Sequence, residues 1–337
     1  MSRALNGYPD ISEATRARVR RTADRMGYSP LAPAQAIRTG RVRTIGLVLQ
    51  IGEPDAQRPF LAEFLAGVTT SASAEGWTLT VATAPTEDET CATLLRLVDE
   101  RKVDGFIVPR TKTSDPRITA LLGAEVPFVL YGRTGNAAGC AWFDILGETA
   151  MAQAVERLYG LGHRRIGFIN GGSEYYYSKL RHRGFTDALA ALGLEADPAL
   201  VETDAFTLGA GEEAARHMLT RNTPPTAIVC ATDMGALGVY GAARAFGLTI
   251  GQDLSVISYD GIPEGAHATP PLTTFEVDAR AAGSRLATLL IRRIRGDAVE
   301  DLRETAQAKL LARGSDGPPA HSPDALRAKI ARALEQV

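Results

Sequence analysis

Arginine is the residue type whose placement carries most chemistry in this chain. Nine arginines (Arg3, Arg16, Arg18, Arg20, Arg21, Arg25, Arg38, Arg41 and Arg43) fall within residues 1–44, against only Asp10, Glu13 and Asp24. That stretch therefore carries +6 and leaves −8 on the rest of a 337-residue chain whose net charge is −2. A guanidinium-rich end on an acidic body suits a phosphate-binding arm on a domain that is not itself a nucleic-acid binder. A solvated charged helix would give the same count, so spacing must decide.

Residue types that mark enzymes are present without the spacing that chemistry needs. His163, His182, His217, His267 and His321 are dispersed, and Cys91, Cys140 and Cys230 show no metal-ligand spacing. His163, in Gly162-His163-Arg164-Arg165-Ile166, reads as a turn residue between a helix and a strand rather than a catalyst. Gly209-Ala210-Gly211 lacks the third glycine of a dinucleotide loop and follows no convincing strand. No Gly-x-Ser-x-Gly elbow occurs. The expectation is a non-enzyme with no catalytic residue, no metal and no cofactor. No apolar run reaches the length of about eighteen residues that a membrane span needs. The arginine-rich N-terminus has no apolar secretory core. A cytoplasmic protein with reduced thiols and no membrane partner is expected.

The elements that must position these groups follow from periodicity. An apolar fraction of 45% over 337 residues exceeds one simple core and fits two or three domains. Ser12 is placed to cap a short helix, with Val19, Ala23 and Met26 at helical spacing, arginines on the other face and Gly27 as its stop. So short a helix needs partners to fold. From Thr44 the pattern changes. Strands are expected at Thr44–Leu49, Thr78–Ala84, Gly105–Pro109, Phe128–Tyr131, Arg165–Ile169, Ala227–Cys230, Ser255–Tyr259 and Thr273–Glu276. Helices are expected at Phe60–Glu75, Glu87–Arg101, Glu148–Tyr159, Tyr177–Leu192, Ala210–Thr220, Met234–Phe246 and Ala279–Arg295. This alternation predicts an α/β fold of two doubly wound parallel-sheet lobes, with binding at the strands' carboxyl ends between them. Gly314-Ser315-Asp316-Gly317-Pro318-Pro319 reads as a linker. Beyond it, Leu326, Ile330, Ala333 and Val337 span too few heptads for an oligomerisation helix, and a loosely docked tail is the expectation.

The order of several blocks resembles the lactose-repressor (LacI/GalR) family of bacterial transcription regulators over nearly the whole chain. These blocks are Ser2-Arg3-Ala4-Leu5-Asn6, Gly162 to Ile166, Arg181 followed by Gly184-Phe185, Ser255 to Asp260, and Pro270-Pro271-Leu272-Thr273-Thr274. The resemblance implies two periplasmic-binding-protein-like lobes of type I behind a helix-turn-helix head. It divides the chain into a partial head at 1–30, a hinge at 31–43, an effector-binding and dimerisation body at 44–315 and a tail at 316–337. Family members carry more of the head before the counterpart of Ser2, and valine where Met1 stands. The chain is therefore expected to hold only the back part of its head, with Met1 as a misplaced start.

In the head, the resemblance makes Arg3 a reader of base edges, since a guanidinium fork matches two guanine acceptors. It makes Asn6, Ser12 and Thr15 phosphate contacts, which fix register. Ile37 matches an apolar wedge into the minor groove; an ordinary apolar linker residue would look the same. The family's asparagine at the start of the hinge helix is Leu31 here, and Pro33 falls in its first turn.

In the body, the resemblance assigns Arg181 to effector oxygens, because a planar fork of donors suits vicinal hydroxyls or a carboxylate. Asp260, at the carboxyl end of Ser255–Tyr259, is expected as its opposite number from the second lobe, although an Arg–Asp pair bracing two loops would use the same residues. Phe206 occupies an aromatic platform position, or else simple core. Tyr177 matches a lining position, and Phe60 covers the other wall. Thr232-Asp233 replaces the family's Asn-Asp. Gly132 stands where many members have an aspartate, which leaves Arg133 as a substitute. Leu146-Gly147 replaces an Asp-Asn pair. Blocks around Val103–Arg117 and Tyr131–Thr134 resemble the branch that senses plant-type or α-glucoside sugars. The function implied is a sugar-responsive, homodimeric repressor of operator DNA with a small carbohydrate effector. The alternative is a sugar-binding module without specific DNA binding.

Overall fold

In the computed structural model, the alternating apolar runs and amphipathic helices assemble into two six-stranded sheets. The structure describes Ala4 and residues 10–26, 40–50 and 58–335. The first lobe contains β1 (Thr44–Gln50), β2 (Thr78–Ala84), β3 (Gly105–Pro109), β4 (Phe128–Tyr131), β5 (Ala141–Ile145) and β11 (Arg303–Ala306). Its order is β11-β5-β4-β3-β1-β2, parallel throughout. The second lobe contains β6 (Ile166–Ile169), β7 (Val201–Glu202), β8 (Ala227–Cys230), β9 (Ser255–Asp260), β10 (Thr273–Glu276) and β12 (Lys309–Leu311). Its order is β12-β10-β9-β8-β6-β7, and only the β10–β12 pair is antiparallel. Strands β1–β5 and then β6–β10 fill the two sheets in turn, while β11 and β12 return to one each, so the chain passes between lobes three times.

Helices cover both faces of each sheet, which is why the central strands read as unbroken apolar runs. In the first lobe, Ile45, Leu47, Ile107 and Val129 pack with residues of α2 (Arg58–Ala74) and α10 (Ala279–Arg295). Phe106, Val108 and Leu130 pack on the other face with α3 (Glu87–Asp99) and α4 (Pro116–Gly123). In the second lobe, Phe168, Val229 and Ile257 meet α5 (Gly147–Gly160) and α6 (Tyr176–Ala191). Ile169, Ile228 and Val256 meet α7 (Leu208–Leu219) and α8 (Asp233–Ala245). The α2–α10 crossing is a backbone contact. A Cβ at Gly67 would lie 2.0 Å from the Arg280 carbonyl oxygen, and one at Gly283 would lie 2.3 Å from that of Phe64. Any larger residue would push the helices apart.

The segment entering the first lobe is pinned. Arg41 Nη2 donates to the Ile294 carbonyl at 2.7 Å, and the Val42 and Thr44 amides donate to the two oxygens of Asp104 at 3.0 and 3.1 Å. Ahead of it, Ser12 caps α1 (Glu13–Arg25), its Oγ accepting from the Thr15 amide at 3.4 Å. The helix ends at Arg25, so Met26 leaves the apolar face assigned to it and is 68% exposed. Arg3, Asn6 and Ile37, with hinge residues 31–39, lie outside the described residues.

The C-terminal segment differs from the loose tail expected. Helix α11 (Pro323–Leu334) seats Leu326 and Ile330 in the second-lobe core. Lys329 and His321 both reach the Asp253 carboxylate, at 2.7 and 2.8 Å. The Gly314–Pro319 stretch is not a free linker either. Ser315 donates to the Val256 carbonyl at 2.6 Å, Asp316 binds Arg157 at 2.6 Å, and the Gly317 carbonyl lies 2.9 Å from buried His163. Two apolar residues one helical turn apart suffice to dock a short amphipathic helix, whatever its heptad count.

Candidate functional site

In both sheets the strand order reverses beside the first strand of the lobe, and the carboxyl ends of the strands face a shared cleft. A cavity of about 510 Å3 lies there, within the roughly 300–1000 Å3 usual for small-molecule sites. Strand ends β3 to β5 supply Pro109, Tyr131, Asp144 and Ile145, and β9 and β10 supply Tyr259, Asp260 and Glu276. Six of the expected effector residues line it: Phe60, Tyr177, Arg181, Phe206, Thr232 and Asp260. The loops beside it join across the lobes. The Thr113 amide donates to the Glu174 carbonyl at 2.9 Å, and the Tyr176 amide to that of Thr111 at 3.0 Å.

Arg181 projects from α6. Its Nη1 donates to the Ala231 carbonyl at 2.8 Å, and the guanidinium lies 4.1 Å from the Tyr259 ring centroid and 4.8 Å from that of Tyr177. Burial opposes the charge, but Tyr259, Asp260 and Tyr177 around it raise its pKa above the ordinary arginine value. Its Nε is buried and has no hydrogen-bond partner. Gly147 makes this position possible, since a Cβ there would lie 2.9 Å from Arg181 Nε and 3.1 Å from Cγ. That gives the departure from the family's Asp-Asn a physical role.

Asp260 ends β9 with φ at 128°, a left-handed conformation that is strained for a non-glycine residue. Burial pushes its carboxyl up to about 7, against the pull of Arg181 and with the push of Asp233. Asp260 lies in the second lobe as expected, and Arg181 shares that lobe rather than facing it from the first. α6 follows β6, so both belong to the second lobe, and no direct ion pair joins them among the described residues. A buried hub holds this wall. Asp233, fully buried at the head of α8, accepts from the Ser258 hydroxyl, from Thr274 Oγ1 at 2.6 Å, and from the Gly261 and Ile262 amides at 2.9 and 2.8 Å. Thr232 spends its hydroxyl as the cap of α8, accepting from the Gly235 amide at 3.2 Å.

Phe206 is 6% exposed and meets the Tyr175 ring edge-on at 5.8 Å. Arg110, with φ at 53°, covers the Tyr175 ring at 4.1 Å and reaches Phe206 at 5.5 Å. On the first-lobe wall, Phe60 stacks on Phe64 at 5.2 Å and on Tyr131 at 5.6 Å. Burial raises the Tyr131, Tyr177 and Tyr259 phenols, so they stay protonated as donors.

Arg133 departs from its expected place and is not among the lining residues. Its Nε binds Asp144 at 2.5 Å and its Nη2 binds Glu148 on α5, so it ties the two lobes together behind the cavity wall. Burial raises the Asp144 carboxyl pKa against the pull of Arg133. Sequence reasoning did not single out Asp144, Glu148, Arg110 or Tyr259, all of which line the cavity. A signal was available for two of them, because Asp144 and Glu148 flank the Leu146-Gly147 site where the family's carboxylate is missing. Among the described residues, no group of His, Cys, Asp and Glu is arranged to hold a metal, and no helix is long and apolar enough to cross a membrane.

A model of periplasmic binding protein-like domains matches residues 155–315. The HTH-type transcriptional regulator AglR of Rhizobium meliloti is 37% identical over 330 residues, covering 96% of this chain and 92% of that protein. A regulatory protein of the LacI family from Chloroflexus aggregans has a TM-score of 0.76 and 30% identity, covering 81% of this chain and 98% of that one. The structure of a transcriptional regulator CelR–cellobiose complex has a TM-score of 0.75 and 31% identity, covering 93% of this chain and 94% of that one. A two-lobed body around a ligand-sized cavity, behind an arginine-rich helix, therefore defines a transcriptional regulator rather than an enzyme. The chain belongs to the LacI family of HTH-type regulators.

Proposed function

We propose that this chain represses a carbohydrate operon in the cytoplasm, binding operator DNA as a homodimer and a neutral sugar between its lobes. The observation that carries the sugar reading is the charge balance of the cavity. Glu63, Asp144, Glu148, Asp260, Glu276 and Asp278 outnumber Arg110, Arg181 and Arg280 on its lining. Carboxylates accept from hydroxyls and repel anions, so a polyol suits this lining better than a phosphate or a nucleotide. Aromatic side chains from both lobes supply apolar surfaces for the C–H face of a sugar ring. CelR, a relative of the same fold, was solved with cellobiose.

Arg3, Asn6, Ser12, Thr15 and Ile37 are the proposed DNA contacts, and a half-site reader requires twofold symmetry. A sugar shifts DNA affinity only through its different affinity for the two body states, typically by about 1–3 kcal/mol. Calorimetry with neutral sugars on the native protein and Arg181→Ala tests the site. Loss of one charge-assisted bond costs about 1.5–3 kcal/mol of binding. Equal binding of the best sugar to both proteins would make Arg181 structural and end the pocket assignment. Gel shifts with and without that sugar test the switch. Sugar binding with no specific operator binding would favour a binding module that has lost its DNA role.

A further inference from the structure

The two lobes are joined covalently on one side of the cleft and by backbone hydrogen bonds farther across it. The chain crossings leave or enter β5, β10, β11 and β12, which lie at or next to one edge of each sheet. The turns after β3 and β6 lie two and three strands away from β5 and β10. There Lys112 and Tyr175 form an isolated antiparallel bridge. The Thr113 amide donates to the Glu174 carbonyl at 2.9 Å, and the Tyr176 amide to the Thr111 carbonyl at 3.0 Å. Arg110, just before the bridge, lays its guanidinium 4.1 Å from the Tyr175 ring centroid.

Both ends are braced turns rather than loose loops. On the first lobe, Asp115 accepts from the Lys112 amide at 3.1 Å and pairs with Arg117 at 2.7 Å, and Arg117 binds the Arg110 carbonyl at 2.9 Å. The hydroxyl of buried Thr111 donates to the Arg133 carbonyl at 2.6 Å. On the second lobe, Asp204 accepts from the Ser173 amide at 2.9 Å and gives its own amide to the Gly171 carbonyl at 3.1 Å. Turns already ordered within their own lobes lose little conformational entropy when they meet.

We propose that this bridge is a strap that holds the lobes closed whatever the cavity contains. Every group in it belongs to the chain. The two bonds and the Arg110–Tyr175 contact exist only while the lobes are together, and opening returns the amides and carbonyls to water and uncovers the ring. The strap therefore sets the resting balance between closed and open bodies. A ligand shifts that balance only by favouring one of the two. One that fits the closed cavity adds to the strap, whereas one too large for it binds only by breaking the strap. This goes beyond the reading of the cavity as a sugar site and does not depend on it.

Hydrogen exchange on the full chain, resolved to single amides and with no sugar added, reads the strap directly. Tyr176 is the first residue of α6, where an amide has no partner within its own helix, so its protection reports the Thr111 carbonyl. Both amides should exchange at least about 10-fold more slowly than unstructured ones. Tyr176→Pro deletes one of the two bonds and leaves the helix intact. Proline suits the first helical position, and Tyr175 before it already has φ −83° and ψ 138°, the extended conformation that proline favours there. Thr113 protection should fall about 2- to 12-fold in that variant, the range for one hydrogen bond, and stay at the native level in Tyr176→Ala, which keeps the amide. Arg110→Met takes the cation off the Tyr175 ring and should lower both protections about 2- to 5-fold, which keeps the test sharp if the proline variant fails to fold. Exchange of the native Thr113 and Tyr176 amides at unstructured rates overturns the strap. So does Thr113 protection that survives Tyr176→Pro unchanged, because the two bonds would then be separate surface contacts.

Discussion

The first lobe meets the cavity with stacked rings, whereas the second meets it with hydrogen-bonding groups fixed from behind. In the first lobe, Phe60, Phe64 and Tyr131 stack with centroids 5.2–5.7 Å apart, and Phe143 tilts against Tyr131 at 6.5 Å. In the second, the rings that line the cavity already carry cations, with Arg181 4.1 Å from the Tyr259 centroid and 4.8 Å from that of Tyr177, and Arg110 5.5 Å from that of Phe206. Stacked rings tolerate a sliding ligand, because dispersion is non-directional over a ring face. Hydrogen bonds lose strength steeply with angle and so fix orientation. A body of this kind can hold related sugars with one wall and tell them apart with the other.

The largest expected effect comes from breaking the hub of the directional wall. Asp233→Ala removes the acceptor for two hydroxyls and two backbone amides in a fully buried place. Breaking such a buried polar network costs about 3–5 kcal/mol, and thermal melting should show it as a large drop in Tm. Affinity for the best sugar should fall as well, since the Gly261–Ile262 loop that follows Asp260 loses its anchor. A stability loss under about 1 kcal/mol would mean that the wall is held by something other than this hub.

Next in size is a pH dependence carried by Asp260. Its folded pKa, about 7, stands above the ordinary 3.8, so the folded state holds the proton more tightly than the unfolded one. Its contribution to stability is fully present below the unfolded value and is lost as pH rises through about 7. Sugar binding runs the other way. The ionised carboxylate accepts two hydroxyls and the protonated one does not, so affinity should rise by up to about tenfold per pH unit towards 7 and flatten above it. Asp260→Asn should abolish the slope in calorimetry at pH 5, 6, 7 and 8. A slope that survives the substitution would shift the titrating role to Asp144, whose carboxyl burial also raises.

The contrast between the walls also marks what the sequence could reveal. Strands Thr78–Ala84, Gly105–Pro109, Phe128–Tyr131, Ala227–Cys230 and Thr273–Glu276 are legible to the residue, because most run through sheets buried on both faces. The short β7, β11 and β12 are not. Segments such as Arg303–Ala306 and Lys309–Leu311 carry charges and pair only because a lobe edge stands beside them. The site follows the same rule. Arg181, Asp260, Tyr177 and Phe60 were legible through the family pattern, and they line the cavity. The role of Arg133 was not, since its partners Asp144 and Glu148 lie 11 and 15 residues away and converge only across the lobe junction. The docked tail was missed for a similar reason. Leu326 and Ile330 look like an ordinary amphipathic pair until Asp253 supplies the counter-charge for Lys329.

A smaller effect should come from trimming the tolerant wall. Phe60→Ala removes a ring that lines the cavity and stacks on Tyr131. Aromatic stacking is worth about 0.5–1.5 kcal/mol beyond area, so affinity should drop about 3- to 10-fold. The drop should be nearly the same for every sugar that binds, with their ranking unchanged. A reshuffled ranking would show that the ring wall also discriminates, and the division between the walls would fail.

The smallest expected effect lies at the rim, where polar groups line the cavity without being buried. Arg280 Nε pairs with Glu63 at 2.8 Å, and both side chains are more than half exposed, at 59% and 58%. Both residues line the cavity, so a list of lining residues alone would rank them beside Arg181. Physics separates them. Water competes for exposed guanidinium and carboxylate groups, screens their charge, and leaves such pairs little net worth. Arg181 instead has a buried Nε that water does not reach in the closed cavity wall. Arg280→Ala should therefore leave Tm unchanged and sugar affinity within about twofold, with any difference vanishing at high salt. A tenfold loss in Arg280→Ala, persisting in 0.5 M salt (roughly a 4 Å screening length), would place the rim inside the directional wall. Selectivity would then have to be sought in the first lobe as well, because Glu63 and Arg280 both belong to the helices that cover its sheet.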